Sequence, residues 1–226
     1  STIGIWVNSY IDSLLDSLKH LDFAYKLNDN SPLGSAAGYG VSLKLDKNYT
    51  SKILGFSKFQ KNPLYAQNSR GKIESSVLFS ILQLGFDISK FASDLLLFTT
   101  SEFNFFVLPE EFYTGSSIMP QKKNLDIAEL LRSKVHILEG YLFQVINICK
   151  NLPSGYNRDF QDIKKPYFEA IILIKKMLDV SILVVNSLKP IEKNLKKAMV
   201  AELYSTDKVY KLVQKGVPFR DAYKKI

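Results

Sequence analysis

Several residue types are scarce in this chain of 226 residues, and each scarcity excludes a class of protein. A single cysteine, Cys149, excludes an intrachain disulfide framework. The two histidines, His20 and His136, are not accompanied by any spacing typical of metal ligands, so we expect no metal. The most apolar stretches, 77–98 and 170–188, are interrupted by charged residues, which argues against a transmembrane span. Strand-like alternation is nearly absent, which favours an all-α fold.

The charge balance of the chain predicts a basic surface without a nucleic-acid partner. Lys and Arg number 30 against 22 Asp and Glu, which gives a net charge of +8. The basic residues are spread along the chain and not interleaved with aromatic residues, so a solvated helix surface explains them. Residues 1–10 lack the basic region of a signal peptide, and together with the lone cysteine this predicts a cytoplasmic protein with no membrane partner.

Apolar residues recur at helical spacing along most of the chain. The periodicity predicts helices over residues 3–27, 49–55, 72–101, 125–151 and 166–187, with two shorter helices after residue 190. Long buried helices with short connections are typical of an up-down bundle. Their faces are too apolar for an isolated bundle, so we expect oligomerisation through helix–helix contact. We predict a central helical bundle domain at 1–190 and the start of a small C-terminal helical domain at 191–226.

A loop dense in hydrogen-bonding groups interrupts the helices at residues 115–124. Its sequence, GSSIMPQKKN, contains two adjacent hydroxyls, two lysines and two amides, and Gly115 and Pro120 break regular structure. Such a loop suits an anionic ligand. A solvated interhelical loop would have a similar composition, so the chemistry alone leaves both interpretations open.

The same ten residues carry a resemblance to a known family. GSSIMPQKKN matches every fixed position of GSSxMPxKxN, the signature of the fumarase/aspartase superfamily, and its QKKN ending resembles the argininosuccinate lyase branch. LPSGYNRDFQ at 152–161 and KGVPFR at 215–220 resemble segments of that branch in the same order. The resemblance implies an all-α bundle of the superfamily type within a tetrameric helical core.

The resemblance also implies an activity. A lyase of this branch cleaves argininosuccinate to arginine and fumarate by base-catalysed β-elimination, without a cofactor, in a homotetramer whose active sites take residues from three chains. It implies further that the family's N-terminal domain, with its Thr-His-x-Gln segment, is absent from this chain. We therefore expect residues 1–226 alone to be inactive.

Two polar loops contain the residues that match family site positions. Ser116 would be the base, as its alkoxide, and Glu129 would pair with the histidine of the Thr-His-x-Gln segment. Because a serine hydroxyl is a weak acid, donors of its own loop and the helix N-terminus near Leu125 are expected to stabilise the negative charge. Lys123 is expected to be a solvated neighbour. The positions that match substrate-binding residues of the family are Ser117, Lys122, Asn124, Tyr156, Arg158, Gln161 and Lys164.

One departure from the family keeps alternatives open. The family usually continues as Gln-Glu-Asp-Lys-Glu, whereas this chain reads Gln161-Asp162-Ile163-Lys164-Lys165. The alternative functions are therefore a sibling lyase that releases fumarate from another N-succinyl compound and a non-catalytic crystallin-like structural relative. The intact set of Ser116, Lys122 and Asn124 argues against the second. A basic nucleic-acid-binding helical protein is a more distant alternative.

Overall fold

The computed structural model describes residues 2–226 and is dominated by four long helices. In chain order the helices are α1 (Ile3–Asn28), α2 (Lys47–Ile53), α3 (Pro63–Asn68), α4 (Lys72–Phe98), α5 (Asp126–Cys149), α6 (Lys164–Ser187), α7 (Glu192–Lys197), α8 (Ser205–Gln214) and α9 (Phe219–Lys224). Short 3₁₀ helices cover Glu110–Phe112, Arg158–Gln161 and Ala201–Tyr204. The strands β1 (Phe106–Val107) and β2 (Lys189–Pro190) pair antiparallel.

Helix α4 forms the centre of the bundle and packs against α1, α5 and α6. Gly71, just before α4, lies against Cys149 at the end of α5, so these two helices run antiparallel. A Cβ at Gly85 would lie 3.0 Å from Leu138 Cδ1, and the missing side chain lets α4 and α5 approach closely. The core between the helices is almost fully buried, and its most deeply buried large side chains are Leu78, Leu95, Val135, Leu138, Val145, Met177 and Val184. The predicted all-α class and up-down bundle are confirmed.

Two carboxylates of α4 attach α1 to the bundle. Asp94 Oδ2 accepts hydrogen bonds from Trp6 Nε1 and Tyr10 Oη, both at 2.7 Å. Asp87 accepts from Ser13 Oγ at 2.6 Å and Ser17 Oγ at 2.9 Å. Burial, and then the hydrogen bond to Asp94, raise the pKa of Tyr10 above its ordinary value, so this phenol stays neutral and continues to donate.

The helix boundaries differ from the predicted ones by a few residues, and one helix before residue 190 was not predicted. Helix α3 depends on local capping, because the Asn62 side chain accepts from two backbone N–H groups and Pro63 occupies the first turn. Helix α6 begins two residues before Pro166, which still lies in its first turn as expected. After residue 190 there are three short α-helices instead of two.

Residues beyond β2 stay connected to the bundle by a few polar contacts. The backbone N–H of Ile191 donates to Phe105 O at 2.8 Å, and Asn194 Nδ2 donates to Asn104 O at 2.7 Å. Helices α8 and α9 pack against each other. The division of the chain at residue 190 stays a prediction. None of the helices within residues 2–226 has the length and apolarity to span a lipid bilayer.

Candidate active site

The loop at 115–124 is closed at its base, immediately before α5. The backbones of Thr114 and Asn124 exchange two hydrogen bonds of 2.9 Å. Thr114 Oγ1 also donates to Asp126 in the first turn of α5. Leu125 is buried in the core and fixes the end of the loop. The segment is therefore a loop whose two ends are held together by hydrogen bonds and whose tip is exposed.

Ser116 is half-buried, and its side-chain oxygen is the hydrogen-bonding centre of the loop. Ser116 Oγ accepts from the backbone N–H of Ile118 at 3.2 Å and of Met119 at 3.1 Å. Two N–H donors on one oxygen favour a negative charge on that oxygen. These donors come from the loop itself, as predicted. The N-terminus of α5 was also expected to stabilise a negative charge on Ser116. Two acidic residues in its first turn, Asp126 and Glu129, oppose that effect.

The other matched residues at this end of α5 differ in exposure. Asn124 is half-buried and held by its backbone, whereas Ser117, Lys122 and Glu129 are exposed. No ion-pair partner lies within 4 Å of Lys122 or Glu129 among residues 2–226. Lys123, expected to be a solvated neighbour, forms an exposed 3.0 Å ion pair with Glu110. The loop thus presents a hydroxyl, an amide and an ammonium at the surface.

The second polar loop, at 152–161, follows the other end of α5. Asn157 Nδ2 donates to Pro153 O at 2.8 Å and to Gly155 O at 3.2 Å, which fixes the turn. The Gly155 N–H donates in turn to Asn68 Oδ1 at 2.8 Å. Phe160 is buried and anchors the 3₁₀ helix on which Arg158 and Gln161 are exposed.

A cleft of about 720 Å³ lies beside this second loop. Tyr156 and Lys164 line it, whereas Arg158 and Gln161 do not. Its wall also contains residues that the sequence analysis did not identify, among them Asn30, Gln67, Arg70, Glu74 and Tyr167. The sequence feature that could have pointed to them is the run of polar residues Gln67-Asn68-Ser69-Arg70 directly before an apolar helix.

The two groups of matched residues do not meet within one chain. Ser116, Ser117, Lys122, Asn124 and Glu129 lie at the N-terminal end of α5, and Tyr156, Arg158, Gln161 and Lys164 lie beyond its C-terminal end. Helix α5 has 24 residues, which at 1.5 Å per residue separates the two ends by about 36 Å. A small substrate cannot contact both groups of a single chain.

Three further titratable residues lie outside both loops, and each of them contacts other residues of the chain. They are Cys149, His20 and His136. Cys149 packs against Gly71, and burial followed by the nearby Glu74 carboxylate raises the pKa of its thiol. His20 packs edge-to-face on Phe79, with 5.9 Å between ring centroids. His136 Nδ1 lies 3.8 Å from Glu139 Oε2 on α5. Within residues 2–226 no group of three or more His, Cys, Asp or Glu side chains is arranged to hold a metal ion.

Comparison with known proteins agrees with these motifs. A family model described as a lyase matches residues 1–138. The argininosuccinate lyase of Thermotoga neapolitana is 41% identical over 221 residues, which are 98% of this chain and 56% of that protein. The argininosuccinate lyase of Bacteroides fragilis is 42% identical over 226 residues, which are 100% of this chain and 51% of that protein. The chain thus spans about half the length of the curated relatives it matches.

A solved structure extends the similarity to the fold. The crystal structure of an EDDS lyase in complex with formate superposes with a TM-score of 0.84 at 25% identity. The match covers 94% of this chain and 42% of that one. The resemblance predicted from GSSIMPQKKN is therefore confirmed, and this chain belongs to the lyase family of the fumarase/aspartase superfamily that includes the argininosuccinate lyases.

Proposed function

We propose that this chain contributes to the active sites of an enzyme that cleaves argininosuccinate to arginine and fumarate, as a step of arginine biosynthesis in the cytoplasm. The observation that carries the proposal is the Ser116 oxygen, which accepts two backbone N–H groups within a loop that matches the family signature. Relatives at 41–42% identity along nearly the whole chain have this activity in their names.

The proposed chemistry needs a base, stabilisation of a dianion and an acid. Ser116, as its alkoxide, removes a proton from the β-carbon of the succinyl group, which is the carbon next to the one that carries the departing nitrogen. The ammonium of Lys122 and the amide of Asn124 hold the carboxylates and stabilise the aci-carboxylate that forms. Glu129, exposed on the first turn of α5, pairs with a histidine from a Thr-His-x-Gln segment, and this pair takes part in the proton transfers. The electron pair of the broken C–N bond stays on the departing nitrogen, which receives a proton.

The leaving-group end is assigned to the second loop. Tyr156, Arg158, Gln161 and Lys164 contact the amino-acid part of the substrate, as their match to the family implies, and the Ser117 backbone N–H supports the succinyl part. Because the two loops of one chain are about 36 Å apart, a second copy must supply the loop that faces Ser116. This requirement supports a homotetramer with shared sites, in which residues 1–226 alone would be inactive.

Exposed apolar side chains on the long helices also support association. Large apolar residues more than 40% exposed are found on each of them, among them Ile11, Leu15, Leu18, Phe79, Phe86, Ile137, Phe143, Ile172, Ile182 and Val185. Apolar faces of this extent in a helical bundle are typical of subunit interfaces.

The experiment that tests the base is Ser116→Ala in the full-length protein. Removal of a positioned base is expected to lower kcat for fumarate release by about 10²-fold or more, with little change in substrate binding. Ser133→Ala is a matched control, because Ser133 is exposed on α5 and its hydroxyl only donates to Leu130 O within its own helix. Activity of Ser116→Ala within a few-fold of the wild type would refute the assignment.

A second candidate function is favoured by one residue of the cleft. Ile163 is 2% exposed and lines the cleft at a position where the family usually has an acidic residue. An apolar residue there would suit a less polar leaving group, so a sibling lyase acting on another N-succinyl compound is the alternative. Fumarate release from argininosuccinate, compared with that from N-succinyl amino acids with apolar side chains, distinguishes the two. Fumarate release from either substrate would also exclude a non-catalytic crystallin-like role.

A further inference from the structure

Arg70 has the surroundings of an anion-binding residue. It lies between α3 and α4, is half-buried, and lines the cleft beside the second loop. Its guanidinium lies over the Phe160 ring, 4.6 Å from the centroid. No carboxylate of residues 2–226 lies within 4 Å of it. A half-buried guanidinium stacked on an aromatic ring and lacking a counter-ion is suited to bind a carboxylate through its planar donors.

The segment that carries Arg70 is held firmly against the second loop. Asn68 Oδ1 accepts from the Gly155 N–H at 2.8 Å, which connects the two segments directly. Gly71 adopts a φ of 78°, and its backbone N–H donates to Glu74 Oε2 at 2.6 Å. A Cβ at Gly71 would overlap Cys149, so this backbone packs tightly on the end of α5. The position of the guanidinium is therefore set by the fold rather than by a flexible loop.

The charges around the cleft match the two ends of an amino-acid zwitterion. Arg70 and Lys164 supply positive charge for a carboxylate, and Glu74 supplies negative charge for an ammonium group. The wall also contains Asn30 Oδ1 and Gln67 Oε1, two buried acceptors without a hydrogen-bond partner. Buried acceptors of this kind are normally paired, and a donor such as an ammonium group would satisfy them.

From these contacts we propose that Arg70 is a substrate-binding residue that takes the α-carboxylate of the leaving amino acid. The inference rests on the proposed function and extends it, because it adds a residue from outside the matched motifs to the leaving-group end. Arg70 binds through two parallel N–H···O hydrogen bonds, while the Phe160 ring fixes the plane of the guanidinium. It holds the substrate and takes no part in proton transfer.

The experiment compares two ligands that differ only in the carboxylate. Arginine, and agmatine, which is arginine without its α-carboxylate, are titrated calorimetrically into the full-length wild-type protein, Arg70→Gln, Arg70→Lys and the control Arg132→Gln. Arg132 is a suitable control because it is exposed on α5 and does not line the cleft. The wild type and the control are expected to bind arginine at least about tenfold more tightly than agmatine. Arg70→Gln should bind arginine and agmatine with the same affinity. Arg70→Lys should keep part of the preference for arginine, because lysine keeps the positive charge but lacks the two parallel N–H donors of the guanidinium.

Other results would overturn the assignment. One is an unchanged preference for arginine over agmatine in Arg70→Gln, and another is equal binding of both ligands by the wild type. A third is seen when fumarate is titrated in the same way: Arg70→Gln then loses as much affinity for fumarate as for arginine. Circular dichroism of each variant checks the fold, and Arg70→Lys serves if Arg70→Gln does not fold. Failure of the wild type to release fumarate from argininosuccinate would refute the proposed function, but the titration with arginine and agmatine would still decide the role of Arg70.

Discussion

A serine acts as a base only where its oxygen can carry negative charge, and two backbone N–H groups donate to the oxygen of Ser116, the proposed base. The sequence predicted this residue because a ten-residue signature surrounds it. Arg70 was not predicted, because its surroundings depend on Phe160, a residue distant in the sequence that the fold places beneath its guanidinium. A candidate residue within a short motif can thus be proposed from the sequence, whereas a candidate defined by a tertiary contact requires the structure.

Gly71 gives a prediction about stability at the residue scale. Gly71→Ala places a side chain at a φ of 78°, which costs about 1–2 kcal/mol. Its Cβ would also overlap Cys149, and such overpacking costs about 1–3 kcal/mol more. We expect the free energy of unfolding to fall by about 3 kcal/mol, as measured by urea denaturation.

The matched control for Gly71 is Gly140. Gly140 lies within α5 and is exposed, and a Cβ added there would meet no heavy atom within 4 Å beyond its chain neighbours and the backbone of its own helix. Gly140→Ala should therefore raise the free energy of unfolding by about 0.5–1 kcal/mol, since alanine is the better helix former. If Gly71→Ala is as stable as the wild type, then Gly71 does not pack closely on Cys149.

At the scale of elements, the long helices follow from apolar periodicity, and their boundaries follow from local contacts. Helices α1, α4, α5 and α6 were predicted to within a few residues, because each has apolar residues at helical spacing. Helices α4, α5 and α6 bury much of that apolar face in the core, whereas most large apolar side chains of α1 are exposed. Helix α3 was missed because its six residues are defined by the Asn62 cap rather than by periodicity. The closed base of the Ser116 loop was also not predicted, since it needs the backbone pairing of Thr114 with Asn124.

The attachment of α1 to α4 gives a prediction for one carboxylate. Asp94→Ala leaves Trp6 Nε1 and the Tyr10 hydroxyl without their acceptor. Hydrogen bonds to charged groups contribute about 1.5–3 kcal/mol, so we expect a loss of about 2–3 kcal/mol in the free energy of unfolding. Trp6 is the only tryptophan, and its fluorescence in a urea titration reports this contact directly.

Asp12→Ala is the control for Asp94. Asp12 is exposed on the same helix α1, and its side chain accepts no hydrogen bond from residues 2–226. Its replacement should change the free energy of unfolding by less than about 0.5 kcal/mol. Equal effects of the two substitutions would show that Asp94 does not attach α1 to α4.

For the whole molecule, the distance between the two polar loops is the decisive property. The proposed base and the proposed leaving-group residues are at opposite ends of α5, about 36 Å apart. An active site that uses both must therefore combine loops from different copies. The exposed apolar faces of the long helices provide the surface for such an assembly.

Mixing two inactive variants of the full-length protein tests this account most directly. Ser116→Ala removes the base, and Lys164→Ala removes a cation of the cleft, so each variant alone should release little fumarate. When the two are unfolded together and refolded as a mixture, sites form that take an intact Ser116 loop from one copy and an intact Lys164 from another. With random mixing, about a quarter of the sites in such symmetric oligomers are intact, so the ultraviolet absorbance of fumarate should report about a quarter of wild-type activity. Recovery no greater than that of the more active parent, in a mixture whose differently tagged chains co-purify, would contradict the account.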